Sequence, residues 1–278
     1  MSKKENKMNT FEEYPLKNAP KIEGLVSRHF QGEIDYPKML AIFQNLHAAG
    51  QYIGDTTIKT LEAEYNNLSN CDPHDDLIFI EVLGKTVAFC RFYWERQISN
   101  QEYAYAVIFR VDPAWQGKGI EQALIEWGES RGRHYAGTLP GGEAGFFLAF
   151  SRETDQNRLN ILTTSGYEVK RYYHSMSRDL VDLPERPLPE GITVRPVLPK
   201  DYRKIWDASN DAFQDEYGAS DPTEEWYQGY LASPNFQPIL WQVAWDGDEV
   251  VGSVQNYLSL EENELEKRRR GYTEAISV

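Results

Sequence analysis

The stretch VDPAWQGKGIEQALI, residues 111–125, joins the end of an apolar run to the start of a helical one through a Pro turn and two glycines, Gly117 and Gly119. Glycine lets backbone N–H groups approach an anion with no Cβ in the way. The N-terminus of the helix that follows adds unsatisfied donors and the positive end of a dipole. This is the layout of an anion site, with a pyrophosphate as its natural ligand. From G-x-G alone, a glycine turn that merely connects strand to helix reads the same way.

Upstream, EYAYAVIFRV (102–111) places Tyr103, Tyr105, Val107, Phe109 and Val111 on one face and Ala104, Ala106 and Ile108 on the other. A strand apolar on both sides belongs in the middle of a sheet. Before it, LIFIEVLG and TVAFCRFYWERQ read as a hairpin joined by Gly84 and Lys85, so the three runs form an antiparallel meander. Earlier still, GLVSRHFQG (24–32) reads as a strand. IDYPKMLAIFQNLHAAG (34–50) follows as a helix with Met39, Ile42, Phe43 and Leu46 at helical spacing, and TIKTLEAEYNNLSN (57–70) as a second helix. Downstream of the helix over 120–135, FFLAFSRE predicts a fifth strand, DQNRLNILTTSG a helix, and YEVKRYYHSMSRDL a sixth strand. The order is α+β, a mixed and mostly antiparallel sheet flanked by helices.

The whole chain of 278 residues is long for one ordinary domain. DLPERPLPEG (182–191) lacks periodicity and its prolines hold the backbone extended, which predicts a linker. Beyond it ITVRPV, DYRKIWDASNDAF, TEEWYQGYLAS, PILWQVAWDGD, EVVGSVQNYLSL and GYTEAISV repeat the strand, helix, helix, strand, strand, strand order of the first unit. The division that follows is an N-terminal arm over 1–20, a complete domain over 21–181, the linker over 182–191, and the N-terminal half of a second copy over 192–278.

With 41% hydrophobic residues and 13% aromatic, the chain can bury a core, while its formal charge of −14 disfavours nucleic acid and anionic lipid as partners. The basic run Lys267–Arg270 follows Glu261, Glu262, Glu264 and Glu266, and reads as a solvated hairpin of mixed charge. The opening MSKKENKMNT has no apolar core for a signal peptide, no run approaches a membrane span, and the cysteines number two, Cys71 and Cys90. A cytoplasmic protein without membrane insertion is the expectation. Cys71, His74, Asp75 and Asp76 are metal-ligand types but lack the further ligands of a tetrahedral site, so no metal is expected.

In context, residues 111–121 resemble motif A of the GNAT superfamily of N-acetyltransferases, V-x-P-x-x-[QR]-x-x-G-x-[GA], matched by Val111, Pro113, Gln116 and Gly119. The resemblance implies the GNAT (acyl-CoA N-acyltransferase) fold, with acetyl-CoA as co-substrate and a small-molecule amine as acceptor. It further implies that the fourth strand's backbone at Phe109 and Val111 meets the pantetheine arm. The amides of Gln116, Gly117, Lys118, Gly119, Ile120 and Glu121 would hold the pyrophosphate. Glu121 departs from the small residue of the pattern and puts a carboxylate where phosphate would approach. Where the family carries a tyrosine as general acid, four residues before a Gly-aromatic pair, this chain has Leu162 ahead of Gly166 and Tyr167. Tyr167 is then a candidate acid, and Glu102 and Glu95 are candidate bases. The family's acceptor pocket is built from the first two helices and their loops.

The whole chain from about residue 22 is similar to tandem GNAT proteins of the mycothiol-synthase-like type. There a strand like GYTEAISV is followed by a second motif A, which this sequence does not reach. A truncated second copy is one expectation; the other is an apolar strand edge covered by self-association. Two functional readings follow: an acetyl-CoA-dependent N-acetyltransferase acting on a small-molecule amine, or a catalytically degenerate GNAT-fold module that binds a ligand or supports a partner.

Overall fold

A computed structural model describes residues 13–54 and 56–278, so the first twelve residues of the expected N-terminal arm lie outside the described residues. The chain divides into two compact units. The first comprises residues up to Glu95 together with Glu102–Ser165; the second comprises Arg96–Gln101 with Gly166–Val278.

The first unit is a five-stranded sheet in the order β1-β2-β3-β4-β5. Its strands are β1 (Leu25–His29), β2 (Leu77–Val82), β3 (Lys85–Arg96), β4 (Tyr103–Val111) and β5 (Gly145–Leu148). β1, β2 and β3 pair antiparallel, whereas β4 and β5 run parallel. As its two apolar faces require, β4 lies inside the sheet. The hairpin between β2 and β3 turns at Leu83 and Gly84, one residue earlier than the sequence predicts, since Val82 pairs with Lys85. Both turn residues have positive φ, +49° and +78°. That conformation matches the right-handed twist of the strands it joins.

On one face lie α1 (Tyr36–Ala48) and α2 (Ile58–Tyr65). Tyr36, Met39, Ile42 and Leu46 form the buried stripe of α1 and meet Leu61, Tyr65, Leu77, Phe79 and Phe89. Thr57 starts α2 with a capping box: its hydroxyl accepts the Thr60 N–H at 3.2 Å, and the Thr60 hydroxyl accepts the Thr57 N–H at 2.7 Å. Against the sheet packs α3 (Ile120–Ala136), whose approach depends on two glycines. A Cβ on Gly128 would lie 2.5 Å from Val107 Cγ1, and one on Gly132 would lie 2.5 Å from Phe147 Cε1. Closing the unit is α4 (Gln156–Thr164), capped by the Asp155 carboxylate on the Arg158 N–H at 3.0 Å, with Leu162 buried beneath it.

The sixth strand predicted over 167–180 does not form. Tyr172, Tyr173 and Met176 are exposed there, and the first unit accordingly ends at Ser165, short of residue 181. An alternation of aromatic and polar residues fits a strand but cannot create one without a partner edge supplying ladder hydrogen bonds.

In the second unit β6 (Ile192–Val194), β7 (Gln242–Asp246), β8 (Glu249–Tyr257) and β9 (Tyr272–Ser277) form an antiparallel sheet in that order. α5 (Tyr202–Ala212) and α6 (Glu224–Ala232) lie between β6 and β7 in sequence. Ile205, Trp241, Val243 and Trp245 are its buried centre, with Tyr230 and Phe236 packed around them. The segment expected to be a solvated hairpin instead contains α7 (Leu260–Leu265), capped by Ser259. Glu262 is buried there, bonded to Arg268 and to the Tyr272 hydroxyl. The mixed charges pair within the segment, which makes a polar sequence compact.

Candidate functional site

The pairing of β4 with β5 runs from Tyr103↔Gly145 to Ala106↔Leu148 and stops there. β5 ends at Leu148, so the backbone of Phe109 and Val111 has no β5 partner. A 3-10 turn at Pro113–Trp115 follows, held by the Asp112 carboxylate on the Ala114 N–H at 3.0 Å. The chain then passes through Gly117 (φ +71°) and Gly119 (φ +88°) into α3. Gly119 is the N-cap of α3 in the left-handed conformation, which residues with a Cβ adopt at a cost. Gly117 and Gly119 differ in surroundings: a Cβ on the first would meet open space, while one on the second would lie 3.4 Å from Pro20 Cβ. Gly119→Ala is therefore expected to lower folding stability by about 1–2 kcal/mol through backbone strain. A urea melt of the ligand-free variant checks it, and an unchanged midpoint would mean that the turn relaxes.

The positions assigned to a cofactor come together here, and the chain's own side chains already occupy several of them. Glu121 is 3% exposed, and its Oε1 accepts the Gly117 N–H at 2.8 Å. Its Oε2 is buried without a hydrogen-bond partner among the described residues. A carboxylate thus sits on an amide that the sequence reading gives to a phosphate. Gln116 pairs its amide reciprocally with Gln51, at 2.8 and 3.0 Å, and donates to the Val111 carbonyl at 3.3 Å. Lys118 lies 4.5 Å from the Trp115 ring centroid, and Ile120 is fully buried under α3. The Phe109 carbonyl accepts from Arg110 Nη1 at 2.9 Å and from Arg158 Nη1 at 3.1 Å.

The backbone here, two positive-φ glycines before a long helix and an open strand edge, fits a pyrophosphate and its extended arm. The Glu121 carboxylate does not fit, because it is an anion already bound where another anion would go.

The candidate acid and bases are on other segments of the chain. Glu102 is exposed immediately before β4, seven residues and about 23 Å from Phe109 at the rise of a strand. Glu95, partly buried near the end of β3, adjoins the connection that leads into β4. Tyr167 follows the turn at Gly166 and belongs to the second unit. Leu162, at the position of the family's tyrosine, is a core side chain.

Three arginines escaped the sequence reading: Arg91 on β3, Arg110 on β4 and Arg158 on α4. Arg110 lies 5.6 Å from the Phe43 ring centroid, Arg158 lies 3.8 Å from that of Phe109, and Arg91 lies 5.2 Å from that of Tyr65. Burial, and then the charge of Arg110, lowers Arg158 from its ordinary value to about 10. Arg110 is lowered too, chiefly by burial, with Arg91 acting in the same direction. Among the described residues no group of three or more His, Cys, Asp or Glu could hold a metal ion, and no helix is long and apolar enough to cross a membrane.

Comparison with known proteins agrees with this architecture. Residues 43–139, from α1 to the end of α3, match the family model described as Acetyltransferase (GNAT) family. Among solved structures, a GCN5-related N-acetyltransferase from Sphaerobacter thermophilus is similar at a TM-score of 0.62 and 20% identity, over 92% of this chain and 76% of that one. An aminoglycoside acetyltransferase from an uncultured soil metagenomic sample, solved with trehalose, aligns at a TM-score of 0.40 and 16% identity, over 55% of this chain and 97% of its own. No curated protein matches the chain in sequence. The five-stranded sheet, with α3 entered through Gly117 and Gly119, has the GNAT fold, and residues 43–139 are similar to the GNAT acetyltransferase family.

Proposed function

We propose that the first unit transfers an acetyl group from acetyl-CoA to a small-molecule amine. The observation that carries this reading is the end of β4, left without a β5 partner after Ala106, directly before a glycine turn with two positive-φ residues and the N-terminus of α3. Acetyl-CoA would supply the activated acetyl thioester. The chain would supply the Phe109 and Val111 backbone for the pantetheine arm and the amides from Gln116 to Glu121 for the pyrophosphate. Positioning and exclusion of water would carry most of the rate. The repeated element order of the second unit supports reading it as a partial second copy of the fold.

A second reading, a GNAT-fold module that binds without turning over, is favoured by the Glu121 carboxylate on the Gly117 amide. Calorimetric titration of the full chain with acetyl-CoA, beside free-thiol release with a panel of amines, separates the two. Binding with thiol release is the expected result. Binding without release selects the module, and no binding at millimolar acetyl-CoA rejects the cofactor assignment.

A further inference from the structure

Arg110 and Arg158 come from different elements, β4 and α4, yet both donate to one oxygen, the Phe109 carbonyl, at 2.9 and 3.1 Å. Two nitrogens bound to a common atom can be no farther apart than those two bonds laid end to end, so the guanidinium groups are neighbours. Neither forms an ion pair with a described residue. The other acceptor of Arg158 is also a carbonyl, that of Phe150 at 2.6 Å, and its Nη2 is buried with no acceptor among the described residues. Asp155, the nearest carboxylate in sequence to Arg158, is engaged in capping α4. On β3, the strand next to β4, Arg91 holds Glu64 at 2.6 Å, while its own Nε is buried with no acceptor among the described residues.

Clustered guanidinium groups with a single paired carboxylate repel one another and lose hydration. Folded proteins normally offset that with a counter-charge. Asp155 acts on Arg158 and Glu64 on Arg110 through space, but no described carboxylate is in ion-pair contact with either, in a chain of net charge −14 where carboxylates are abundant. Elsewhere in the same unit arginines are neutralised: buried Arg28 by Asp35 and Glu81, and half-buried Arg131 by Asp76 at 2.7 Å. Arg110 and Arg158 remain partly open to solvent, so a ligand can reach them. Phe43 of α1 flanks Arg110, and Tyr65 of α2 flanks Arg91, which puts the group against the first two helices.

We infer that Arg110 and Arg158, supported by Arg91, bind the carboxylate of an amino-acid-like acceptor, whose amine is thereby held beside the open end of β4. A guanidinium presents paired N–H donors that match the two oxygens of a carboxylate, and two converging guanidinium groups fix its plane as well as its charge. The inference names the acceptor class for the transfer reaction proposed above and rests on that reading for the role of the amine. The anion site itself does not depend on acetyl-CoA.

The test is calorimetric titration of the full chain, without acetyl-CoA, with each common L-amino acid, the corresponding carboxamides, acetate and inorganic phosphate. Saturable binding of at least one amino acid is expected, at least tenfold tighter than its carboxamide. Arg110→Gln and Arg158→Gln should each weaken it at least tenfold. A purely structural arginine would lower the melting temperature and leave the amino acid to carboxamide ratio unchanged. Equal binding of amino acid and carboxamide overturns the inference. So does phosphate binding with no amino acid binding, or the absence of saturable binding by any carboxylate at millimolar concentration. Carboxylate binding without thiol release would leave the site intact and reject only the transfer reaction.

Discussion

Replacing Arg28 with Met is expected to cost about 3–5 kcal/mol of folding stability, because it breaks a buried ion network by removing its central cation. Arg28, 1% exposed on β1, donates to both oxygens of Asp35 at 2.7 and 2.8 Å and to Glu81 at 2.7 and 2.9 Å. Asp35 stands at the entrance to α1 and Glu81 on β2, so one guanidinium joins the first helix to the sheet. Lys38 also reaches Asp35, at 3.0 Å, but it is a partly exposed lysine and cannot reproduce the bidentate contact. Urea denaturation followed by circular dichroism checks the loss, and a change below about 1 kcal/mol would mean that the two carboxylates find other partners.

The same network sets a pH dependence. Burial pushes the Asp35 carboxyl up, but hydrogen bonds from Arg28, Lys38 and the Gln31 N–H more than offset this and hold it below its ordinary value. A carboxyl with a depressed folded-state pKa contributes stability that is present above its unfolded value, near 3.8. That contribution is lost as pH falls through the lower, folded-state value. The parent should therefore lose more stability than Asp35→Asn on acidification below about pH 4. Parallel acid titrations would argue against the assignment.

The second large effect is expected at the glycine turn: Glu121→Ala should raise acetyl-CoA affinity at least fivefold. A phosphate oxygen seeking the Gly117 N–H must displace a carboxylate already bound to it at 2.8 Å, and then lies close to that charge. Two unit charges about 4 Å apart repel by about 1 kcal/mol in water and about 4 kcal/mol at an effective dielectric near 20. Alanine removes the charge and keeps a good helix former in the first turn, so folding is little affected through propensity. A glutamate pointing to solvent at a helix N-terminus would instead stabilise the helix and leave the ligand alone, but at 3% exposure this side chain is turned inward. Titration of parent and variant at two salt concentrations decides the matter. Unchanged affinity with a lowered melting temperature would reject the view of Glu121 as an occupant of the cradle.

Much of the architecture was legible in residue order. Met39, Ile42 and Leu46 mark the buried side of α1, the double apolar alternation of 103–111 puts β4 inside the sheet, and Gly117 and Gly119 announce the turn before α3. Periodicity reports which face of an element is apolar, and glycine reports where the backbone bends; both are local properties. Tertiary structure alone decided which polar atoms meet. Arg28 and Glu81 are 53 positions apart, and they touch because β1 lies beside β2. Arg110 and Arg158 converge because β5 ends opposite Ala106 and leaves the Phe109 carbonyl to a side chain of α4. The absent strand over 167–180 and the burial of Glu262 in α7 have the same origin. A hydrogen bond is short and directional, so its partner depends on where distant segments come to lie, which an apolar stripe in the sequence does not specify.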